Sequence, residues 1–184
     1  DAITGWLARR YGVTVDHDRI LALNGTREGL YSAAMALCPE AKGGARPAVL
    51  MPNPFYQVYA VAALSVGAEP VYLPATGQTG HLPDLDAIPG ETLSRAAIFY
   101  LCSPSNPQGA VADEGYWRHL LDLAERWDFR IFADECYSEI YRDAPPPGIL
   151  AAVEATGADP ERVVAFHSLS KRSNLPGLRA GFAA

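Results

Sequence analysis

Hydrophobic positions along this chain switch between two patterns. Short continuous apolar runs read as buried strands, and stripes repeating every three or four residues read as helices. Strand-like runs fall at Pro47–Met51, Glu69–Leu73, Ala96–Leu101, Arg130–Asp134 and Val163–Phe166. Ala96–Leu101 is the strongest, an unbroken apolar stretch suited to a parallel sheet covered on both faces. Between these runs lie predicted helices. One spans Ala2–Tyr11, ended by Gly12, and one carries Leu30, Ala33, Ala34 and Leu37 on a single face. A Val- and Ala-rich helix runs up to Gly67, another occupies Asp113–Asp128, and a third covers about Ile149–Thr156. Trp117, Leu120, Leu121, Ala124 and Trp127 form one apolar stripe and read as core. Pro52 and Pro54 are expected to stop their strand. Residues 75–90 are rich in Gly, Thr and Pro and read as a loop around a short helical turn at Leu82–Ile88. Arg19–Leu23 is a short apolar run, and Gly181–Ala184 reads as a strand. The alternation predicts an α/β fold, a doubly wound, mostly parallel sheet with helices on both faces.

Composition narrows the class. With 184 residues, 49% of them apolar, the chain can build one sizeable core. A formal charge of −6 without a basic tract argues against nucleic acid as a partner. No apolar run approaches the roughly 20 residues of a membrane span. Cys38, Cys102 and Cys136 are widely spaced, which predicts buried thiols in a cytoplasmic protein. His17, His81, His119 and His167 form no ligand cluster, so no metal site is expected.

Chemistry concentrates at the ends of the predicted strands. Lys171 follows the last long strand, preceded by Ser168 and Ser170 and followed by Arg179. An amine can condense with an aldehyde, while hydroxyls and a guanidinium suit a phosphate. Pyridoxal 5′-phosphate satisfies both halves; a solvated basic loop is the plainer alternative. Gly25, Thr26 and Arg27 open a helix, where free N–H groups and the helix dipole favour an anion. An ordinary N-cap by Asn24 or Thr26 explains the same residues. Tyr56 ends one strand, where its ring could stack on a flat heterocycle, and Tyr59 one turn on faces either substrate or core. Asn106 sits in the turn Asn106-Pro-Gln-Gly109, and Asp134 precedes Tyr137 by three residues. Glu135 and Glu139 read as solvated or structural.

The order Ser168-x-Ser170-Lys171-x7-Arg179 resembles the cofactor-lysine signature of class I/II aminotransferases, the fold-type I pyridoxal-phosphate enzymes. The longer string from His167 to Phe182 is similar to the N-succinyldiaminopimelate aminotransferase branch. The resemblance implies that Lys171 carries the cofactor from a buried position and that Asp134 pairs with its ring nitrogen. It implies Tyr137 and Asn106 at the phenolic oxygen and Tyr56 on the ring face. Gly25, Thr26, Arg27, Ser168, Ser170 and Arg179 would then hold the phosphate. These elements come in the family's order along the chain. The implied activity is transamination between a small-molecule amino acid and a 2-oxo acid. The branch implies N-succinyl-LL-2,6-diaminopimelate as donor and 2-oxoglutarate as acceptor, in lysine biosynthesis, in a homodimer. Family members are about twice this length, so residues 1–184 are expected to be a partial cofactor-binding large domain without the C-terminal small domain. Another fold-type I enzyme, such as a different aminotransferase or a carbon–sulfur lyase, shares the same residues. So does a non-catalytic effector domain of a regulator.

Overall fold

Helix and strand alternate almost throughout the computed structural model, which describes residues 1–184. Helix α1 (Ala2–Tyr11) stops where Gly12 turns left-handed and returns its N–H to Ala8. Strand β1 (Leu21–Leu23) precedes α2 (Thr26–Leu37), β2 (Ala48–Asn53), α3 (Gln57–Ser65) and β3 (Glu69–Pro74). Next come α4 (Gly90–Arg95), β4 (Ala96–Cys102), α5 (Glu114–Trp127) and β5 (Arg130–Asp134). The chain closes with α6 (Ile149–Thr156), β6 (Val163–Ser168), the single turn α7 (Leu169–Arg172) and β7 (Gly181–Ala183). Helix α5 shows why the pattern was readable. Asp113 caps it by accepting from the Tyr116 N–H at 2.8 Å, and its Trp117–Leu120–Leu121–Ala124 stripe is buried.

The seven strands form one sheet in the order β1-β7-β6-β5-β4-β2-β3. Strands β2 to β6 pair in parallel; β7 runs antiparallel to both β6 and β1. Side chains alternate between two cores, one on each face. Ile131, Ala133, Val163 and Ala165 join Trp117 and Ile149 beneath α5 and α6. Phe132, Phe166, Val49 and Met51 join Leu30 and Tyr59 beneath α2 and α3. A smaller cluster, Leu7, Val13 and Phe182, ties α1 to β7. No helix is long and apolar enough to cross a membrane.

Three local expectations need correction. Strand β2 runs through Pro52 to Asn53, in register with β3, because pairing with β4 has already ended at Leu50. There the missing proline N–H costs one edge only. Residues Leu82–Ile88 are not helical; the loop instead contains a 3-10 turn at Gly77–Thr79. Helix α4, unforeseen, buries only Leu93, too little to leave a periodic stripe.

Candidate active site

The parallel strands deliver their carboxyl ends to one edge of the sheet, where α/β folds place ligands. A cavity of about 510 Å³ opens there, and apart from Gly25 every residue expected to hold the cofactor lines it. Asp134 ends β5, Ser168 ends β6, Asn106 follows β4 and Tyr56 follows β2. Asp134, at the end of β5, and Lys171, on the turn α7 that follows β6, thus line a common space.

On the acid side, Asp134 is buried, with 4% of its surface exposed. Its Oδ2 accepts from the Tyr59 hydroxyl at 2.7 Å and its Oδ1 from the Cys136 N–H at 3.3 Å. Burial raises the Asp134 pKa, and those two donors hold it down. Tyr59 is the functional side chain that sequence reasoning left between substrate and core. It belongs to the core, stacked on Tyr100 at 4.4 Å and 11°, and spends its hydroxyl on Asp134. Its spacing of three residues from Tyr56 on the same helix start was the available signal. Asn106 Nδ2 donates to the Tyr137 hydroxyl at 2.9 Å; burial raises the Tyr137 pKa. Lys171 Nζ lies 5.9 Å from the centre of the Tyr137 ring. Lys171 is exposed, not buried as expected, because α7 is a single turn at the cavity mouth followed by an exposed loop.

At the other end, α2 begins at Gly25 with no side-chain cap. Thr26 Oγ1 is engaged with Cys136 Sγ at 3.0 Å, so the N-cap alternative fails and the first-turn N–H groups stay available. Gly25 has φ 94° and ψ 156°, and a Cβ there would run into the Arg179 guanidinium. Arg179 Nη2 contacts Glu28 Oε2 at 3.1 Å, and Nη1 donates to the Pro176 carbonyl at 3.2 Å. Arg27 Nε donates to the Tyr56 hydroxyl at 2.5 Å, an arrangement the sequence did not suggest. Ser168 is buried and accepts from the Ser170 N–H at 3.0 Å, capping α7. Its hydroxyl proton is left for another acceptor.

The family described as "Aminotransferase class I and II" matches residues 1–184, the whole chain. The chain belongs to that family. LL-diaminopimelate aminotransferase of Desulforudis audaxviator is 40% identical to this family member over 185 residues, covering 100% of this chain and 45% of that protein. A crystal structure of an aminotransferase from Neisseria meningitidis superposes with a TM-score of 0.93. It is 42% identical and covers 100% of this chain and 46% of its own. A probable N-succinyldiaminopimelate aminotransferase from Thermus thermophilus gives a TM-score of 0.85 at 34% identity, over 98% of this chain and 46% of that one. This family member therefore spans about half the length of the relatives it matches.

The donor set suits the group this family implies. A flat phosphorylated pyridine needs an anion for its ring nitrogen, a donor for its phenolic oxygen and an anion cup within reach. Asp134, the Asn106–Tyr137 pair and the uncapped α2 start beside Arg179 meet those needs. No three His, Cys, Asp or Glu side chains converge as metal ligands.

Two carboxylates read as solvated or structural turn out to be fastened. Glu139 Oε1 accepts from Arg10 Nε at 2.7 Å. Glu135 is buried, with 2% exposed; it accepts from the Tyr11 hydroxyl at 3.0 Å and from the Ile149 N–H at 2.7 Å. Burial, opposed by those donors and by Arg10, pushes its pKa up to about 7. His167 lies 3.4 Å away, its pKa pulled down to about 3 by burial first and then by Arg172 and Arg10.

Proposed function

We propose that this chain is the pyridoxal-phosphate-binding part of a transaminating enzyme. One observation carries the reading: a single cavity holds an amine (Lys171), a buried carboxyl held by a phenol (Asp134 with Tyr59), and an uncapped helix start beside an arginine. Pyridoxal 5′-phosphate, when bound, supplies a ring that withdraws electrons from the amino acid undergoing reaction. The rest falls to the protein. Lys171 would hold the aldehyde end of the cofactor and, as a free amine, would carry the proton lost from the substrate α-carbon. Asp134, as an anion, keeps the ring nitrogen protonated, and the Tyr59 hydroxyl and Cys136 N–H favour that anion. Tyr137, oriented by Asn106, donates to the phenolic oxygen. Tyr56 covers the ring face. The N–H groups of Thr26 and Arg27, the hydroxyls of Ser168 and Ser170, and Arg179 hold the phosphate, with Gly25 leaving room for the guanidinium.

Residues 1–184 are, on this reading, part of the cofactor-binding large domain, and the groups that clamp the substrate carboxylate lie outside them. The whole protein works as a homodimer on small amino and 2-oxo acids, with 2-oxoglutarate as acceptor. The string from His167 to Phe182 supports N-succinyl-LL-2,6-diaminopimelate as donor. The name of the Desulforudis relative, LL-diaminopimelate aminotransferase, supports free LL-diaminopimelate as a second candidate donor. Borohydride reduction of the cofactor-loaded protein, followed by peptide mapping, is expected to label Lys171; a label elsewhere overturns the assignment. Oxo-acid formation from the two donors, with and without 2-oxoglutarate, then decides the substrate. Product that forms equally well without an oxo acid would remove transamination.

A further inference from the structure

Beneath the cavity meet three side chains that the proposed reaction leaves unused. Glu135 directly follows Asp134, His167 directly precedes Ser168, and Tyr11 closes the last turn of α1. Glu135 Oε2 accepts from the Tyr11 hydroxyl at 3.0 Å and lies 3.4 Å from His167 Nε2. Its Oε1 accepts from the N–H of Ile149, the first residue of α6, at 2.7 Å. Gly148 leaves the space: a Cβ there would stand 2.5 Å from Tyr11 Cε1 and 2.9 Å from Glu135 Oε2. Helix α1 also reaches the Lys171 turn, since the Trp6 ring packs edge-on against His167 at 5.0 Å and the Arg172 guanidinium lies 4.3 Å from the Trp6 ring. The loops carrying Asp134 and Lys171 are therefore fastened to one helix.

The charge state of this node follows from its surroundings. No arginine or lysine forms an ion pair or hydrogen bond with the Glu135 carboxyl. Arg10 is taken by Glu139 and by the Ser138 and Pro146 carbonyls. A buried carboxyl without a contacting cation keeps its proton, more so beside a second acid such as Asp134. His167 is enclosed by Trp6, Tyr11 and Phe182, and its Nε2 has no hydrogen-bond partner as it stands. A proton on Glu135 Oε2 would serve that nitrogen, and the same oxygen can still accept from Tyr11.

Building on the function proposed above, we propose that Glu135 is a positioning residue that works as a neutral carboxylic acid. It donates to His167 Nε2 while accepting from Tyr11 and Ile149, and thereby sets the Asp134 loop against the Lys171 turn. Neutrality also spares Asp134 a charged carboxylate on the very next residue. Direct evidence would come from infrared difference spectra of wild type against Glu135→Gln. A protonated-carboxyl band near neutral pH should vanish in the variant. Because that comparison needs no cofactor, its failure is separable from a failure of pyridoxal phosphate to bind.

The functional arm uses the whole protein loaded with pyridoxal phosphate. Glu135→Gln, whose amide can donate to both His167 and Tyr11, should keep the visible band and a kcat within about twofold of wild type. Glu135→Ala should lower kcat about tenfold or more, leave the donor KM nearly unchanged and shift the pH midpoint of the band. An alanine variant with wild-type kcat and spectrum overturns the proposal, as does a glutamine variant as impaired as alanine. If the alanine variant does not fold, the infrared comparison decides: absence of a band that Glu135→Gln removes overturns the neutral acid.

Discussion

Replacing Tyr59 by phenylalanine removes one hydroxyl and leaves its surroundings intact. The ring stays stacked on Tyr100 at 4.4 Å, so packing is conserved and the change isolates the 2.7 Å bond to Asp134. A hydrogen bond to a charged group contributes about 1.5–3 kcal/mol. Each 1.4 kcal/mol changes a rate about tenfold, so kcat of the cofactor-loaded whole protein should fall about 10- to 150-fold. The direction is fixed by Asp134. Burial already raises its pKa, and Tyr59 is one of the donors opposing that rise. Without the hydroxyl the pKa climbs further and the acid limb of the rate profile moves to higher pH, with activity partly recovered as pH increases. Thermal unfolding should shift by only about 1 kcal/mol, because the carboxyl can take up a proton in the folded state. Stopped-flow rates across pH, set beside unfolding curves, make the measurement. Tyr100→Phe is the control: it loses a 2.8 Å bond to the Leu30 carbonyl, not to Asp134, and should keep its kcat. A Tyr59→Phe enzyme with wild-type kcat and an unmoved acid limb would refute the reasoning.

Further outcomes are expected elsewhere. Gly25→Ala forces a side chain into a glycine-only backbone region and against Arg179, which should cost about 1–3 kcal/mol in denaturant unfolding and weaken pyridoxal-phosphate affinity in equilibrium dialysis. Asp134→Ala should retain the cofactor after dialysis but lose most turnover; near-normal rates would take Asp134 out of the mechanism. Trp117→Ala empties a fully buried site and should destabilise the fold by about 3–5 kcal/mol in urea titration. Glu135 and His167 pull pH-dependent stability in opposite directions. The Glu135 contribution, from a pKa raised from 4.5 to about 7, is present below pH 4.5 and is lost as pH rises through 7. The His167 contribution, from a pKa lowered from 6.5 to about 3, is present above pH 6.5 and is lost as pH falls through 3. Between pH 4.5 and 6.5 these two contributions offset each other. Glu135→Gln should expose the His167 slope there, about 1.4 kcal/mol per pH unit in unfolding midpoints, and parallel curves would count against it.

Buried parallel strands announce themselves, since β4 is apolar at all seven positions, and this is why the sheet was legible. The site was legible because each of its polar residues interrupts the chain just after such a run. Strand direction was not. The three residues of β7 look the same read parallel or antiparallel, and only the order of the sheet distinguishes them. Side-chain partnerships were hidden for a similar reason. Tyr59 carries an aromatic core pattern while its hydroxyl serves Asp134. For Glu135 the structural alternative holds over the solvated one, which sequence could not decide because its hydrogen bonds come from Tyr11 and Ile149, both distant in sequence.

Strand β7 lies between β6 and β1, so β1 is joined to the sheet only through residues 181–183, which follow every other strand of this sheet in sequence. During synthesis, the central parallel ladder can assemble while β1 and the α1 cluster around Leu7 still wait for Phe182. Until then the outer edge of β6 stays open to other chains. A ribosome-stalled form ending before Gly181 should therefore depend on chaperones more than one that already includes β7.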